Sequence, residues 1–259
     1  MLVRPEGHGF VAIGQASHAW LSGQLARAWG NDRFDPPEPN EEVCLAAEQH
    51  DVGMAEWDLA PQLHPEAKRP VSFMELALAD HLRLWAEAPA KVLSQSRYAA
   101  LLVSLHGTAL YERRDLAGMA AADADAVRAY LEGERAAQER LITLLGADRA
   151  QVARNQRLVF AWDGLSLALC LGWDPFVAAD VPAAGDAGVD IRLEAASGRF
   201  QLDPWPFAAS EVIVRCEGRL LPGSYATAIE LRAALEGAEQ VSLDFTLVRF
   251  GNSRKERGP

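Results

Sequence analysis

Cysteine is scarce in this 259-residue chain. Cys44, Cys170 and Cys216 are odd in number, far apart and without C-x-x-C spacing. That argues against a disulfide framework, a thiolate metal site or a redox motif. Cys44 and Cys170 fall in apolar helical stretches, where a free cysteine behaves as a small hydrophobe. Basic charge is also in short supply: 25 Lys and Arg face 36 Asp and Glu, a net charge of −11. Nucleic acid is therefore not an expected partner, because phosphate contacts need clustered Lys and Arg. The main basic run, Arg254-Lys255-Glu256-Arg257, reads as a short solvated tail. No apolar run approaches the ~20 residues needed to cross a bilayer, so no membrane partner is expected. Charges and glycines interrupt the first residues, which removes the pattern of a signal peptide. The expectation is a cytoplasmic protein.

What is present is ordinary globular material, 49% apolar and 24% charged. Helical spacing runs over residues 14–29, and Ser17 or Ser22 fits its polar face. The proline-rich NDRFDPPEPNEE must be a loop. A second helix starts near Asn40, with Glu41 and Glu42 in its first turn, and reaches about Gly53. Residues 54–73 read as an extended, proline-interrupted loop. Helical pattern returns from Phe73 and is ended by Pro89. Further helices cover roughly 95–112 and 119–145, and a last long one starts from an Asp148 cap.

Composition then changes. Prolines and glycines near 174–188 mark a boundary, and VDIRLEAASGRFQLD reads as a hairpin turning at Ala196-Ser197-Gly198. SEVIVRCEGRLL and EQVSLDFTLVRF alternate as strands, with a short amphipathic helix between them. The expected fold is mainly α: a helical domain over 1–175 with a small C-terminal antiparallel α+β appendage over 188–250 packed on it.

Chemistry concentrates in an ordered series: His18, the adjacent pair His50-Asp51, His81, His106 and Asp163. Each falls in or beside an expected helix, and bundles build metal sites from inward ligands on several helices. A 100° step per residue lets His50 and Asp51 flank one ion, or two adjacent ions, from one turn. Imidazole and carboxylate suit iron, manganese, zinc, cobalt or nickel. Taken singly, a histidine in an apolar helix is more often a hydrogen-bonded core residue, and Asp163 alone reads as a helix-surface acid. His8 and His64 read as solvent-exposed or substrate-contacting.

The order His, His-Asp, His, His, Asp resembles the HD superfamily of metal-dependent phosphohydrolases, over roughly residues 10–173. That resemblance implies one metal on His18, His50, Asp51 and Asp163. It implies a second on His81, His106 and a bridging Asp51, with Asp51, His81 and His106 at the catalytic centre. The motifs QASHAWLSGQLA, AAEQHDVGMAEWD, Pro70-Val71-Ser72-Phe73 and YAALLVSLHGTALY are similar to a narrower, uncharacterised bacterial HD-like family carrying a domain of unknown function. Met54 stands where an aromatic residue is expected in that family. No Gly-Tyr-Pro follows the His-Asp pair, which counts against a cyclic-dinucleotide phosphodiesterase.

Other positions carry a bland and a functional reading. Gln15, one turn before His18, either faces the same pocket or caps its helix. Glu48, Glu56 and Asp58 read as surface acids, and Trp57 and Trp85 as core. Lys68, Arg69, Arg113 and Arg114 read as solvated charge. The segment Asp203-Pro204-Trp205-Pro206-Phe207 either packs the appendage onto the helices or closes over the site. The expected function is hydrolysis of a small, possibly phosphorylated molecule with one or two divalent transition metals per chain. The alternatives are a di-iron oxygenase of the HD fold and a non-catalytic metal-binding or interaction module.

Overall fold

Period-two apolar patterning occurs at both ends of the chain, and both ends enter one sheet. The computed structural model describes residues 1–251, so the basic run at 254–257 lies outside the described residues. The strands are β1 (Leu2–Glu6), β2 (Gly9–Ile13), β3 (Phe176–Pro182), β4 (Gly188–Ala196), β5 (Arg199–Asp203), β6 (Glu211–Leu221) and β7 (Glu239–Arg249). They form a seven-stranded sheet in the order β1-β2-β6-β7-β5-β4-β3. β5 pairs with β7 in parallel, and the other pairings are antiparallel.

This corrects the mainly α expectation. About 51% of the residues are helical and 24% are in strands. The sheet is no small C-terminal appendage, because β2 pairs with β6 from Phe10↔Leu221 to Ile13↔Gly218. The N-terminal hairpin escaped sequence reading because Arg4, Pro5 and Glu6 break its apolar alternation. Proline is tolerated there because β1 is an edge strand.

The helices are α1 (Gln15–Ala28), α2 (Asn40–Gln49), α3 (Ala55–Leu59), α4 (Leu78–Val92), α5 (Arg97–Glu112), α6 (Ala121–Leu145), α7 (Arg149–Leu171) and α8 (Ala228–Glu236). α3 lies in the stretch expected to be extended. α4 continues through Pro89, whose missing N–H interrupts the ladder without ending the helix. None of the described helices is long and apolar enough to cross a membrane.

Alternation along β2 shows how the layers meet. Val11 and Ile13 join a core with Leu21 and Leu25 of α1 and Trp162 and Leu165 of α7. Phe10 and Ala12 point the other way, onto Leu231 and Leu235 of α8. A second helical layer packs Leu84 and Trp85 of α4, Tyr111 of α5 and Val127 of α6 around Met54. Trp162 is fully buried, and truncating it to alanine costs about 3–5 kcal/mol by analogy with other buried aromatics. The segment 203–207 docks on the helices away from the site: Phe207 lies edge-on to Trp29, and Gly30 N–H donates to Pro206 O at 3.0 Å. All three cysteines are buried and free, with Cys170 and Cys216 Sγ atoms 3.6 Å apart.

Candidate metal centre

Four helices bring the histidines and aspartates together. α1 carries His18, the end of α2 carries His50 and Asp51, α5 carries His106, and α7 carries Asp163. α2 stops at Gln49, earlier than its sequence pattern suggests, and its last turn explains the pair. His50 Nδ1–H donates to the Ala47 carbonyl at 2.8 Å, filling one of the acceptors left open at a helix C-terminus. Asp51 then takes φ −101°, ψ 15°, in the sparsely allowed bridge region. Val52–Met54 follow as a 3-10 turn. That turn lies so close to α4 that a Cβ on Gly53 would sit 2.2 Å from Leu84 O. Glycine is required there by space rather than by φ. The direction of the Asp51 side chain is thus set by this turn and not by a regular helical step.

The side chains form a buried network. His18 Nε2 lies 2.5 Å from Asp51 Oδ2, within hydrogen-bond distance. His50 Nε2 lies 3.3 Å from Asp163 Oδ1 and 3.7 Å from Asp51 Oδ2. His106 Nε2 lies 3.6 Å from Asp163 Oδ2, and His18 Nδ1 lies 3.9 Å from Asp163 Oδ1. His18, His50, His106, Asp51 and Asp163 are all at most 7% exposed. Asp163 is therefore no surface acid.

Charge balance follows from that crowding. Burial lowers the pKa of His50, but the carboxylates of Asp51 and Asp163 outweigh it and hold the imidazole at about 9. Burial pushes both aspartates upward, and the neighbouring imidazoles overcome it, so each carboxyl sits below the usual range. His106 is pushed down to about 4, first by burial and then by the positive charge on His50. A proton on His50 thus neutralises part of the carboxylate charge when no cation does. The C-terminal end of α2 favours positive charge at the same place.

Sequence reading missed the residues that orient His18. Ser166 Oγ is 2.9 Å from His18 Nδ1, accepts from Ser22 Oγ at 2.9 Å and donates to Asp163 O at 2.8 Å. Ser22 is fully buried rather than on a polar face. The available signal was spacing, since Ser166 is one turn after Asp163 and Ser22 one turn after His18. Asp58 is not a surface acid either. Gly14 has no side chain with which to cap α1, and the Asp58 carboxylate accepts the Gln15 backbone N–H instead.

His81 sits apart from the four-helix cluster. Its Nε2 accepts the Trp85 indole N–H at 3.1 Å, and its Nδ1 is hydrogen-bonded to Tyr111 Oη. Burial pushes its pKa down to about 4. It joins the cluster by lining a cavity of about 310 Å³, whose wall also includes Asp51, His106, Asp163, Gln15 and Arg114. Met54, Phe73, Trp85, Leu110 and Leu167 supply apolar wall. Gln15 therefore faces the pocket, as one of its two sequence readings had it.

His18, His50 and Asp163 each offer a ligand atom, all within 4.8 Å of one another. Two ligands held at about 2.1 Å from one ion lie roughly 3–4 Å apart, which the His50–Asp163 separation matches. His50 Nε2 is buried without a hydrogen bond, its approach to Asp163 being misaligned for one. A buried ring nitrogen without a hydrogen-bonded partner, beside two ionised carboxylates, is a position that a cation can take in place of the His50 proton. The group can hold a metal ion, and its donors fit a divalent transition metal.

A helical layer on a seven-stranded sheet, with this His/Asp cluster at its centre, defines the class. The chain belongs to the family described as Protein of unknown function (DUF3891), whose model matches residues 1–223. No curated protein matches the chain, and no solved structure does.

Proposed function

We propose that this protein is a metal-dependent phosphohydrolase of the HD type, acting on a phosphoester or nucleotide-like small molecule. The supporting observation is the buried His18–His50–Asp163 group opening, through Asp51, His106 and Asp163, onto a cavity of small-molecule size. His18, His50, Asp51 and Asp163 would hold one metal, drawn from iron, manganese, nickel, zinc or cobalt; a second, on His106 and Asp51, would gain His81 only by displacing Trp85 or Tyr111 from its ring. Bound there, such a cation supplies a Lewis acid that lowers the pKa of water toward neutrality and offsets charge on the phosphoryl oxygens.

The protein's own groups do the rest. Asp51 and Asp163 stay ionised at neutral pH and remain ligands throughout. His106 stays neutral, so one of its ring nitrogens offers a lone pair. Ser166 and Ser22 hold the His18 ring in one orientation. Asp51, lining the cavity, accepts a hydrogen bond from the attacking water and aims it. The apolar wall excludes bulk water and strengthens every polar contact inside.

The test is release of phosphate or alcohol from a panel of phosphoesters by protein reconstituted with manganese. Turnover that disappears in His50→Ala is expected. No turnover with metal bound would sink the hydrolase reading and leave a metal-binding interaction module. The mostly apolar lining favours a second reading, oxidation of a small organic molecule by two irons and dioxygen. Oxygen consumption by iron-loaded protein, without phosphoester hydrolysis, would select it.

A further inference from the structure

The cavity is graded from end to end. Asp51, His106, Asp163 and Gln15 are buried, whereas Met74 and Arg114 are exposed, which places those two at the mouth. Gln15, which lines the inner end, is 1% exposed and its Oε1 has no hydrogen-bond partner. An unpaired buried polar atom of this kind is costly unless a ligand meets it. Between the two ends the wall is apolar, formed by Met54, Leu110 and Leu167 among others.

Arg114 is the one cationic side chain among the wall residues outside the histidines. Its guanidinium lies 4.8 Å over the Tyr111 ring, and among the described residues no carboxylate pairs with it. The ring positions the charge without neutralising it. Tyr111 is itself hydrogen-bonded to His81, so the guanidinium rests on a side chain tied to the inner wall. In a chain of net charge −11, an unpaired guanidinium at a pocket mouth selects for anions.

We propose that the cavity takes an elongated small molecule with an apolar body and an anionic group at its outer end. The reacting group reaches the inner end, where Gln15 Oε1 accepts a hydrogen bond from a donor on it, such as the hydroxyl of a singly protonated phosphoryl group. The body lies against Met54, Leu110 and Leu167, and Arg114 holds the outer anion. This deepens the phosphohydrolase reading and rests on its choice of this cavity as the substrate pocket. Arg114 sets specificity and takes no part in the chemistry.

The experiment is calorimetric titration of the full chain with 4-carboxybenzylphosphonate and 4-methylbenzylphosphonate, with and without manganese. These probes are not hydrolysed and differ only at the outer end. The carboxylate probe is expected to bind about tenfold more tightly, the low end for a charge-assisted contact at an exposed site. Arg114→Gln should abolish the preference, and Arg114→Lys should keep part of it. Arg114 is exposed, so both variants are expected to fold, and their thermal transitions check this. Equal affinity for the two probes, a preference that survives Arg114→Gln, or no binding of either would overturn the inference. Hydrolysis separates the two claims: turnover of phosphoesters with no probe preference keeps the enzyme and discards the anionic tail. A preference without turnover does the reverse.

Discussion

The two halves of the cavity differ in what their histidines are doing. On the α1–α2–α7 side, His50 leaves a buried ring nitrogen unpaired within 3.7 Å of two carboxylates. On the α4 side, His81 has both ring nitrogens engaged by Trp85 and Tyr111. The same residue type is thus poised for a cation in one place and tied to the protein in the other. His106 stands between them, with Nδ1 unpartnered and Nε2 facing Asp163. The difference teaches that residue order along a chain cannot by itself separate ligands from positioned wall residues; whether a ring nitrogen meets a carboxylate, as on His18, His50 and His106, or only neutral side chains, as on His81, does.

The largest effect should come from the first half. His50→Ala or Asp163→Ala removes a ligand from the close group, and metal content by elemental analysis should fall to near zero. His81→Ala should leave at least one metal per chain. Equal losses in both halves would erase the contrast. Ser166→Ala comes next. It removes the hydroxyl that orients His18, and supporting contacts of this kind are worth about 10–100-fold in metal affinity. A competition titration against a chromophoric chelator would read that change, and an unaltered affinity would show the hydroxyl to be idle.

Protons sharpen the contrast further. His50 is raised to about 9, so in the metal-free protein its contribution to stability is fully present below about pH 6.5. That contribution is lost as pH rises through 9. His81 and His106, lowered to about 4, act on the other flank. Below about pH 6.5 the unfolded chain binds protons that the folded chain refuses, so stability falls toward pH 4. A thermal-unfolding series on metal-free protein should therefore peak near neutrality, and metal uptake at pH 7.5 should release a proton. A flat profile over pH 6.5–9 would contradict the His50 assignment.

The smallest effect concerns the cavity's outer segment. Glu75 is held down to about 2, chiefly by the hydrogen bonds from Arg69, with a further bond from the Ser72 backbone N–H that completes a capping box. A lowered carboxylate contributes stability above its ordinary value near 4.5, lost as pH falls through 2. The pair is about a third exposed, so solvent screening limits Glu75→Gln to about 1 kcal/mol or less. A shift in the thermal midpoint of more than a few degrees would show that this segment does more than frame the mouth.

Much of this was legible in the sequence, and the gaps have physical causes. The long helices declared themselves through apolar spacing and caps such as Asp148, which accepts from Ala150 N–H at 2.8 Å. All six ordered histidines and aspartates line the cavity or its buried floor. The C-terminal strands and the β4–β5 hairpin were legible, but the N-terminal half of the sheet was not, because the β2–β6 pairing joins residues about two hundred positions apart and carries no local signal. Arg114 read as solvated charge because its meaning depends on Tyr111 beneath it. Asp58 read as a surface acid because only the folded chain shows α1 lacking its own cap.

The most direct test is elemental analysis of chelator-free, purified protein, followed by stoichiometric reconstitution of wild type and His50→Ala. At least one divalent transition metal per wild-type chain, and none held by the variant, is the expected result. A wild type that binds no metal even after reconstitution would contradict the account, and the cluster would then be a buried hydrogen-bonding network alone.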